Sequence, residues 1–524
     1  MFRSEQNGAV TSPPLAALGV DVGTTNTKVV LAVLGDDGVR EERIVIVATA
    51  GTGAGLQAVV LGAIREIAAD SPCPIAALGV ASMGETGCLT APDGTPRGDL
   101  LRWSDGDAAT ADRLVAAAGA SALYTATGVP APAKSPLTHW LRLADHGDGR
   151  IADARWLGAD GLVVAALTGE PVTDHTLAAR TMAYRLPGPG DDVAAEFDAE
   201  LLGLAGLTPE RFPRVALPGE IAGRLTPDAA AALGLPAGLP VVAAGHDHAV
   251  GAWAAGIREP GQAADSVGTA EALLRVADGV SRAEALRQGM SLARSVDGRY
   301  ETVLAGNPTA GALVEWAFAE LLPGVDRRET LQRAAGLADD PIGTVLLPYL
   351  RGRQSPQPDP AAALRLVDLA GGELASLPAI PGATSSTSGA SSASRASRAS
   401  LADPAAALTA VLAGLALQLA WMDAAQTRLA GPRHPGLVLL GGPGAANGAW
   451  WRLKQRVVPG TLRRVDAAEP VATGAAMLAA HRVAGLTTTL PLRSADSAAS
   501  AGDPALLDAF VRAATLHDKE PETR

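Results

Sequence analysis

Leu18-Gly-Val-Asp21-Val-Gly23-Thr24-Thr25-Asn26-Thr27-Lys28-Val-Val-Leu-Ala-Val33 is the stretch on which the reading of the whole chain turns. Ala17 to Val20 is short and apolar, as a buried strand is. Gly23 has no Cβ and permits a sharp reversal at positive φ. Thr24, Thr25 and Thr27 offer hydroxyls, and Lys28 to Val33 resumes as a β-branched strand. The reading is strand, tight turn, strand. Its turn carries backbone N–H groups, hydroxyls and an ammonium, with the carboxylate of Asp21 at its entrance. Phosphate oxygens need such donors, and a hard cation such as Mg²⁺ needs such an oxygen ligand. An ordinary hairpin turn satisfies the same pattern, so this stretch alone leaves both readings open.

The chain has 524 residues, more than one ordinary core accommodates, and two large domains are expected. It is 48% hydrophobic and 19% charged, a globular balance. Aromatic residues make up only 3%, so the core is built from Ala, Val and Leu. A net charge of −12 argues against nucleic acid and anionic membrane surfaces as partners. It leaves room for ATP in a locally positive pocket. Cys73 and Cys88 have no metal-ligand or CxxC spacing, which fits free thiols in a reducing cytoplasm. Leu408 to Met422 is apolar but short for a membrane span, and is expected as a buried helix.

Along the chain, residues 1–14 are a polar tail. Arg43–Ala48 reads as a strand, Leu56–Ala69 as a helix and Ile75–Ser82 as a buried strand ending in Met83-Gly84-Glu85-Thr86. Polar residues past the carboxyl end of such a strand are where α/β sheets bind ligands. Trp103 and Asp105 are two apart and would share a face on a strand. Leu239–Ala244 is a buried strand that runs into Gly245-His246-Asp247-His248. Ser266-Val-Gly268-Thr269 sits between apolar strands and echoes the first hairpin, which points to a duplicated architecture. Gly436–Leu440 enters a further glycine-rich turn, Gly441-Gly442-Pro-Gly444-Ala-Ala-Asn447. Residues 382–400 are Ser/Ala-rich and too polar to bury a face, so they read as a disordered insertion. Gly51-Thr-Gly53-Ala-Gly55 lacks the spacing of a dinucleotide loop and reads as a flexible linker.

Taken together and in this order, the turns resemble those of the FGGY family of carbohydrate kinases, within the actin-like ATPase superfamily. The resemblance covers residues 15–485. Gly19-Val-Asp21-Val-Gly23-Thr24-Thr25 resembles the first phosphate motif, Ser266-Val-Gly268-Thr269 the second, and Leu440 to Trp450 the adenosine motif; Glu469 with Gly474 resembles its trailing helix. Gly245-His-Asp247-His248 is similar to the segment that carries the catalytic aspartate.

The resemblance implies an α/β chain of two actin-like (ribonuclease H-like) domains with an ATP/sugar cleft between them. The expected division is 15–256 for sugar, 257–485 for ATP, and 486–524 as a C-terminal extension. It implies ATP-dependent phosphorylation of a sugar or polyol, a pentulose or hexulose ketose favoured. Asp247 is the implied general base. Met83, Gly84, Glu85, Trp103, Asp105, Asp247 and His248 are the implied acceptor-binding residues. Gly23, Thr24, Thr25, Lys28, Gly268, Thr269, Gly311, Gly442, Gly444 and Asn447 are implied to surround ATP, and Asp21 to hold Mg²⁺. The family also admits a homodimer. Two departures stand out. The arginine that precedes the glutamate in glycerol kinases is Gly84 here, and the arginine after the Trp-x-Asp segment is replaced by Asp107. His246, Asp247 and His248 also invite a metal reading, but two histidines two apart with one aspartate are not a zinc constellation. A catalytically silent, nucleotide-gated binding protein of the same fold is the alternative, as is a kinase of small acids.

Overall fold

The computed structural model describes residues 14–35, 37–147, 151, 153–188, 190–370, 372–376, 403–431, 434, 436–441, 447–494 and 499–516. The Ser/Ala-rich insertion, Gly442 and Gly444 lie outside them.

β1 (Leu15–Val22) and β2 (Asn26–Gly35) form the expected antiparallel hairpin, with Asp21 opposite Lys28. β3 (Gly38–Ala48) extends the hairpin, and β4 (Ile75–Ser82) runs parallel to β1. β5 (Gly223–Arg224) and β6 (Pro240–His246) complete a six-stranded sheet of order β3-β2-β1-β4-β6-β5. A second sheet repeats the plan. β7 (Ala263–Val267) and β8 (Glu271–Ala277) are its hairpin, β9 (Ser291–Arg294) and β10 (Glu301–Asn307) extend it, and β11 (Gly436–Leu439) runs parallel to β7. β12 (Thr461–Val465) and β13 (Leu492–Ser494) close the order β9-β10-β8-β7-β11-β12-β13. Each sheet thus has an antiparallel meander on one side and parallel strands on the other, the two-domain actin-like architecture.

Helices cover the sheets. α1 (Gly53–Ala68) and α2 (Ala159–Thr168) pack on one face of the first. The stretch Gly51–Gly55 is therefore no linker. Thr52 caps α1 by accepting from the Gly55 N–H at 3.1 Å, and Gly53 already belongs to the helix. α3 (Asp247–Ala254) follows β6 directly, and α4 (Ala310–Trp316) packs on the second hairpin. α5 (Pro404–Ala430) is long and apolar enough to cross a membrane, but 89% of its apolar window is buried inside the protein, which makes it the central core helix of the second half. α6 (Gly448–Val457) packs on α5.

α7 (Pro470–Ala484) comes from the C-terminal part of the sequence yet lies on the first sheet. A Cβ on Gly19 would stand 1.8 Å from the Ala472 carbonyl oxygen, and one on Gly79 2.0 Å from that of Ala475. Helix backbone and strand backbone touch because neither glycine has a side chain. The Glu41 carboxylate on β3 caps this helix, accepting from the N–H groups of Ala468 and Glu469 at 2.7 and 2.9 Å and from the Thr473 hydroxyl at 2.7 Å. In the C-terminal extension, β13 pairs with β12, and α8 (Pro504–Thr515) buries Phe510 completely in the second core.

Candidate active site

Three strand ends meet where the two sheets face one another. The first is the β1–β2 turn. Gly23 donates its N–H to the Asn26 carbonyl at 3.2 Å. Its φ is not positive, contrary to expectation. Glycine is required there by close approach, since a Cβ would lie 2.7 Å from the Asn26 oxygen and 3.3 Å from Lys28 Nζ. Lys28 Nζ donates to Asp21 Oδ2 at 2.9 Å, while the buried Asp21 Oδ1 has no hydrogen-bond partner among the described residues. Burial raises the proton affinity of Asp21, Lys28 opposes it, and the charge of Asp247 raises it again. An orphaned buried carboxylate oxygen that feels a second carboxylate fits a divalent cation, which would neutralise both. Glu469 lies near enough to sense Asp21 and Lys28 and adds a further carboxylate. Among the motifs it appears only as the start of a helix.

The second strand end carries Asp247. The pairing of β6 with β4 slips between Ala243 and Gly245, and Gly245 sits at φ 121°. A Cβ there would collide with Thr176 Oγ1 at 2.5 Å and Asp174 Oδ1 at 2.7 Å. Thr176 Oγ1 accepts from the His246 N–H at 2.8 Å and donates to Asp174 Oδ1 at 2.7 Å. This irregularity swings the next residues out of the sheet. Asp247 becomes the first residue of α3, one position past the cap, where the helix N-terminus favours its charge. Its Oδ1 accepts from the His248 N–H at 2.7 Å and faces His246 Nε2 at 3.2 Å and His248 Nε2 at 3.9 Å. Burial pushes the Asp247 pKa up, but His248 and His246 outweigh it and hold the carboxyl below its usual range. The ligand atoms of the three residues lie within 4.8 Å of one another. Both rings face one carboxylate oxygen, an electrostatic arrangement that needs no shared metal.

His246 is buried, and burial lowers its pKa from 6.5 to about 4. Its folded pKa is depressed, so the unfolded chain takes up the proton first as pH falls. The stabilisation is complete above about pH 6.5 and lost progressively toward pH 4, by up to ~3 kcal/mol. Thermal unfolding between pH 7 and 4.5 should show a smaller acid loss in His246→Asn than in the wild type. Parallel curves would remove His246 as the source.

The third strand end is the loop after β4, expected to face the acceptor. Trp103 Nε1 donates to Thr24 Oγ1 at 3.1 Å, and that hydroxyl donates to Met83 Sδ at 3.4 Å, so this loop and the β1–β2 turn are one hydrogen-bonded unit. Glu85 takes a left-handed conformation, φ 55°, which is strained for a side-chain-bearing residue. Arg180 holds it there, with Nε 2.8 Å from Glu85 Oε1. The same arginine lies on Gly84, where a Cβ would be 3.0 Å from Arg180 Cγ and 3.2 Å from His246 Cδ2. Arg180 thus covers the position before Glu85 where glycerol kinases carry an arginine. No local motif signals it, because Arg180 lies in a 3₁₀ turn (Ala179–Thr181) 95 residues away. Asp105 departs from expectation. Residues 102–105 form a turn, and the exposed Asp105 closes it by accepting from the Arg102 N–H at 3.1 Å. Asp and Asn favour such local bonds over strand geometry.

On the opposite side, Gly268 and Thr269 form the β7–β8 turn, and Gly311 packs on it. The Gly311 N–H donates to the Gly268 carbonyl at 3.1 Å, and a Cβ on Gly311 would stand 2.3 Å from that oxygen. Asn447 caps α6 by accepting from the Trp450 N–H at 3.1 Å. The turn is stapled from below. The fully buried Lys454 reaches Asp265 Oδ2 at 2.5 Å and Glu271 Oε1 at 2.6 Å, one carboxylate at each foot of the turn.

Residues 54–254 match the N-terminal domain model of the FGGY family of carbohydrate kinases. L-fuculokinase of Escherichia coli (strain K12) is 31% identical over 204 residues, 38% of this chain and 42% of that protein. Xylulose kinase of Streptomyces rubiginosus is 28% identical over 398 residues, 75% of this chain and 71% of that protein. In fold, the chain is similar to gluconate kinase from Lactobacillus acidophilus, with a TM-score of 0.76 at 18% identity over 97% of both chains. The chain spans less than half the length of the first of these relatives.

Proposed function

We propose that the chain is a carbohydrate kinase of the FGGY family, whose N-terminal domain model matches residues 54–254, and that it transfers the γ-phosphoryl group of ATP to a hydroxyl of a sugar or polyol. Asp247 is the general base. It takes the hydroxyl proton as the acceptor oxygen bonds to the γ-phosphorus and the bond to the ADP oxygen breaks. Phosphoryl transfer depends mainly on positioning and charge stabilisation, with the base aligning the nucleophile. One observation carries the reading. An ionised carboxylate stands on the first turn of a helix, within electrostatic reach of the Asp21–Lys28 pair on the other strand end. Asp21 and Glu469 are the residues that would hold Mg²⁺, which when bound supplies charge neutralisation at the phosphates. Lys28, Gly23, Thr25, Gly268 and Thr269 line the phosphate path, with Gly311 and Asn447 toward the nucleoside. Thr24 contributes backbone donors, since its hydroxyl is engaged with Trp103 and Met83. His248, Met83, Gly84, Glu85 and Trp103 form the acceptor side.

The test is ADP release with and without a panel of ketoses, aldoses, polyols and sugar acids. Acceptor-dependent release is expected; nucleotide binding with no release for any acceptor would favour a silent binding protein. A ketose acceptor has its support in the name of the xylulose kinase relative.

Glu85→Gln is expected to raise the acceptor KM at least tenfold and leave the ATP KM within about twofold. The substitution removes the charge that holds Arg180 in place. Initial rates against each substrate check it, and a rise in the ATP KM alone would move this loop out of the acceptor site.

A further inference from the structure

The sequence contains four lysines, at 28, 134, 454 and 519, and the first three fall among the described residues. Lys28 and Lys454 each pair with carboxylates. Lys134 pairs with none among the described residues. Its ammonium lies over the Trp103 ring, 5.4 Å from the centroid, and reaches Gln354 Oε1 at 3.5 Å, a long contact with a neutral group. The side chain is half-buried, so water solvates it only in part. A cation in that state is stabilised well by a carboxylate and poorly by hydroxyls.

The surrounding charges point the same way. Glu85 is the one carboxylate among the described residues whose charge acts on Lys134, and Arg180 already occupies it. Arg180 and Arg351 are close enough to disfavour the Lys134 charge further, and burial lowers its pKa most of all. The acceptor wall therefore carries surplus positive charge in a chain of net charge −12. Its position matters too. Trp103 touches the first phosphate turn through Nε1 and lies under Lys134 with its ring. Gln354 comes from the second half of the chain, so Lys134 spans the cleft through it.

We propose that the acceptor is a sugar acid, its carboxylate bound by Lys134 with Arg351 nearby, while a hydroxyl farther along the chain faces Asp247. The proposal rests on the kinase reading and narrows its substrate class. A neutral ketose or alditol of the same length leaves the ammonium without its counter-charge.

Aldonates and alditols of one carbon skeleton differ only in a carboxylate against a hydroxymethyl group. D-gluconate with D-glucitol, D-galactonate with galactitol and D-xylonate with xylitol are therefore compared as kcat/KM on the full chain, beside D-xylulose. At least one aldonate is expected to exceed both its alditol and xylulose by tenfold or more. Lys134→Met should bring that ratio down by about 10- to 100-fold, and Lys134→Arg should restore most of it. Thermal unfolding verifies that both variants are folded. Turnover of xylulose or an alditol with inert aldonates overturns the sugar-acid proposal and leaves the kinase reading intact. An aldonate preference that survives Lys134→Met removes Lys134 as its origin. Failure of every compound to raise ADP release overturns the kinase reading, and the proposal with it.

Discussion

Asp247→Asn is expected to lower kcat by roughly 10²–10⁴ while the acceptor and ATP still bind. Asparagine keeps the shape of the side chain and can still accept the His248 N–H that now bonds Asp247 Oδ1. It cannot accept a proton at neutral pH. Folding should survive, because Asp247 lies past the cap position and the polar contacts of its side chain that fall closest, with His246 and His248, are to its immediate chain neighbours. The bulge that aims it depends on Gly245, Thr176 and Asp174, which the substitution leaves alone. Turnover and calorimetric titration on one preparation separate the outcomes. Near-normal turnover would remove Asp247 as the base, and loss of both binding isotherms would make it structural.

Lys454→Met should cost about 3–5 kcal/mol of stability, the range for removing one partner of a buried ion pair. Two carboxylates, Asp265 and Glu271, would be left in the core without a cation. Burial already raises Glu271 to about 7 with the lysine present. A carboxyl with a raised folded pKa takes up a proton on folding. Stability therefore falls as pH rises through that pKa and recovers below it. The deficit of the variant should accordingly be larger at pH 8 than at pH 5. The turn that carries Gly268 and Thr269 hangs between these two residues, so the ATP KM should rise as well. Urea unfolding at both pH values checks the first part, and an equal deficit at each would show that Lys454 does not act by neutralising charge.

Both hairpins were legible because their signals are local. Apolar runs flank Gly-Thr turns, and the order of those turns follows the chain. The end of β6 was legible for the same reason. What the linear order hides is contact between distant segments. Arg180 fills the space over Gly84 and reaches Glu85 from 95 residues away, and a lone arginine in a 3₁₀ turn carries no periodic signal. Lys454 reaches its carboxylates across 189 and 183 residues, and an amphipathic helix pattern gives no sign that one lysine points inward. Asp105 was misplaced because turn chemistry overrode the alternation of a strand. Gly51–Gly55 was misplaced because glycines at a helix start mimic a linker, and only the Thr52 cap tells them apart.

The backbone-on-backbone seat of α7 has a consequence for biosynthesis. Ala17, Val30, Ala32 and Ala81 of the first sheet share one cluster with Ala472, Ala475 and Ala476. On the ribosome, β4 emerges by residue 82, whereas α7 is complete only at residue 484. About 400 residues of translation separate them, some 20–80 s at ordinary elongation rates. For that interval one side of the earliest sheet is a bare alanine-lined surface, narrow enough at Gly19 and Gly79 to admit a helix and little else. Nascent chains halted before residue 470 should accordingly bind holdase chaperones, and release from them should coincide with synthesis of the last helix that the sheet awaits.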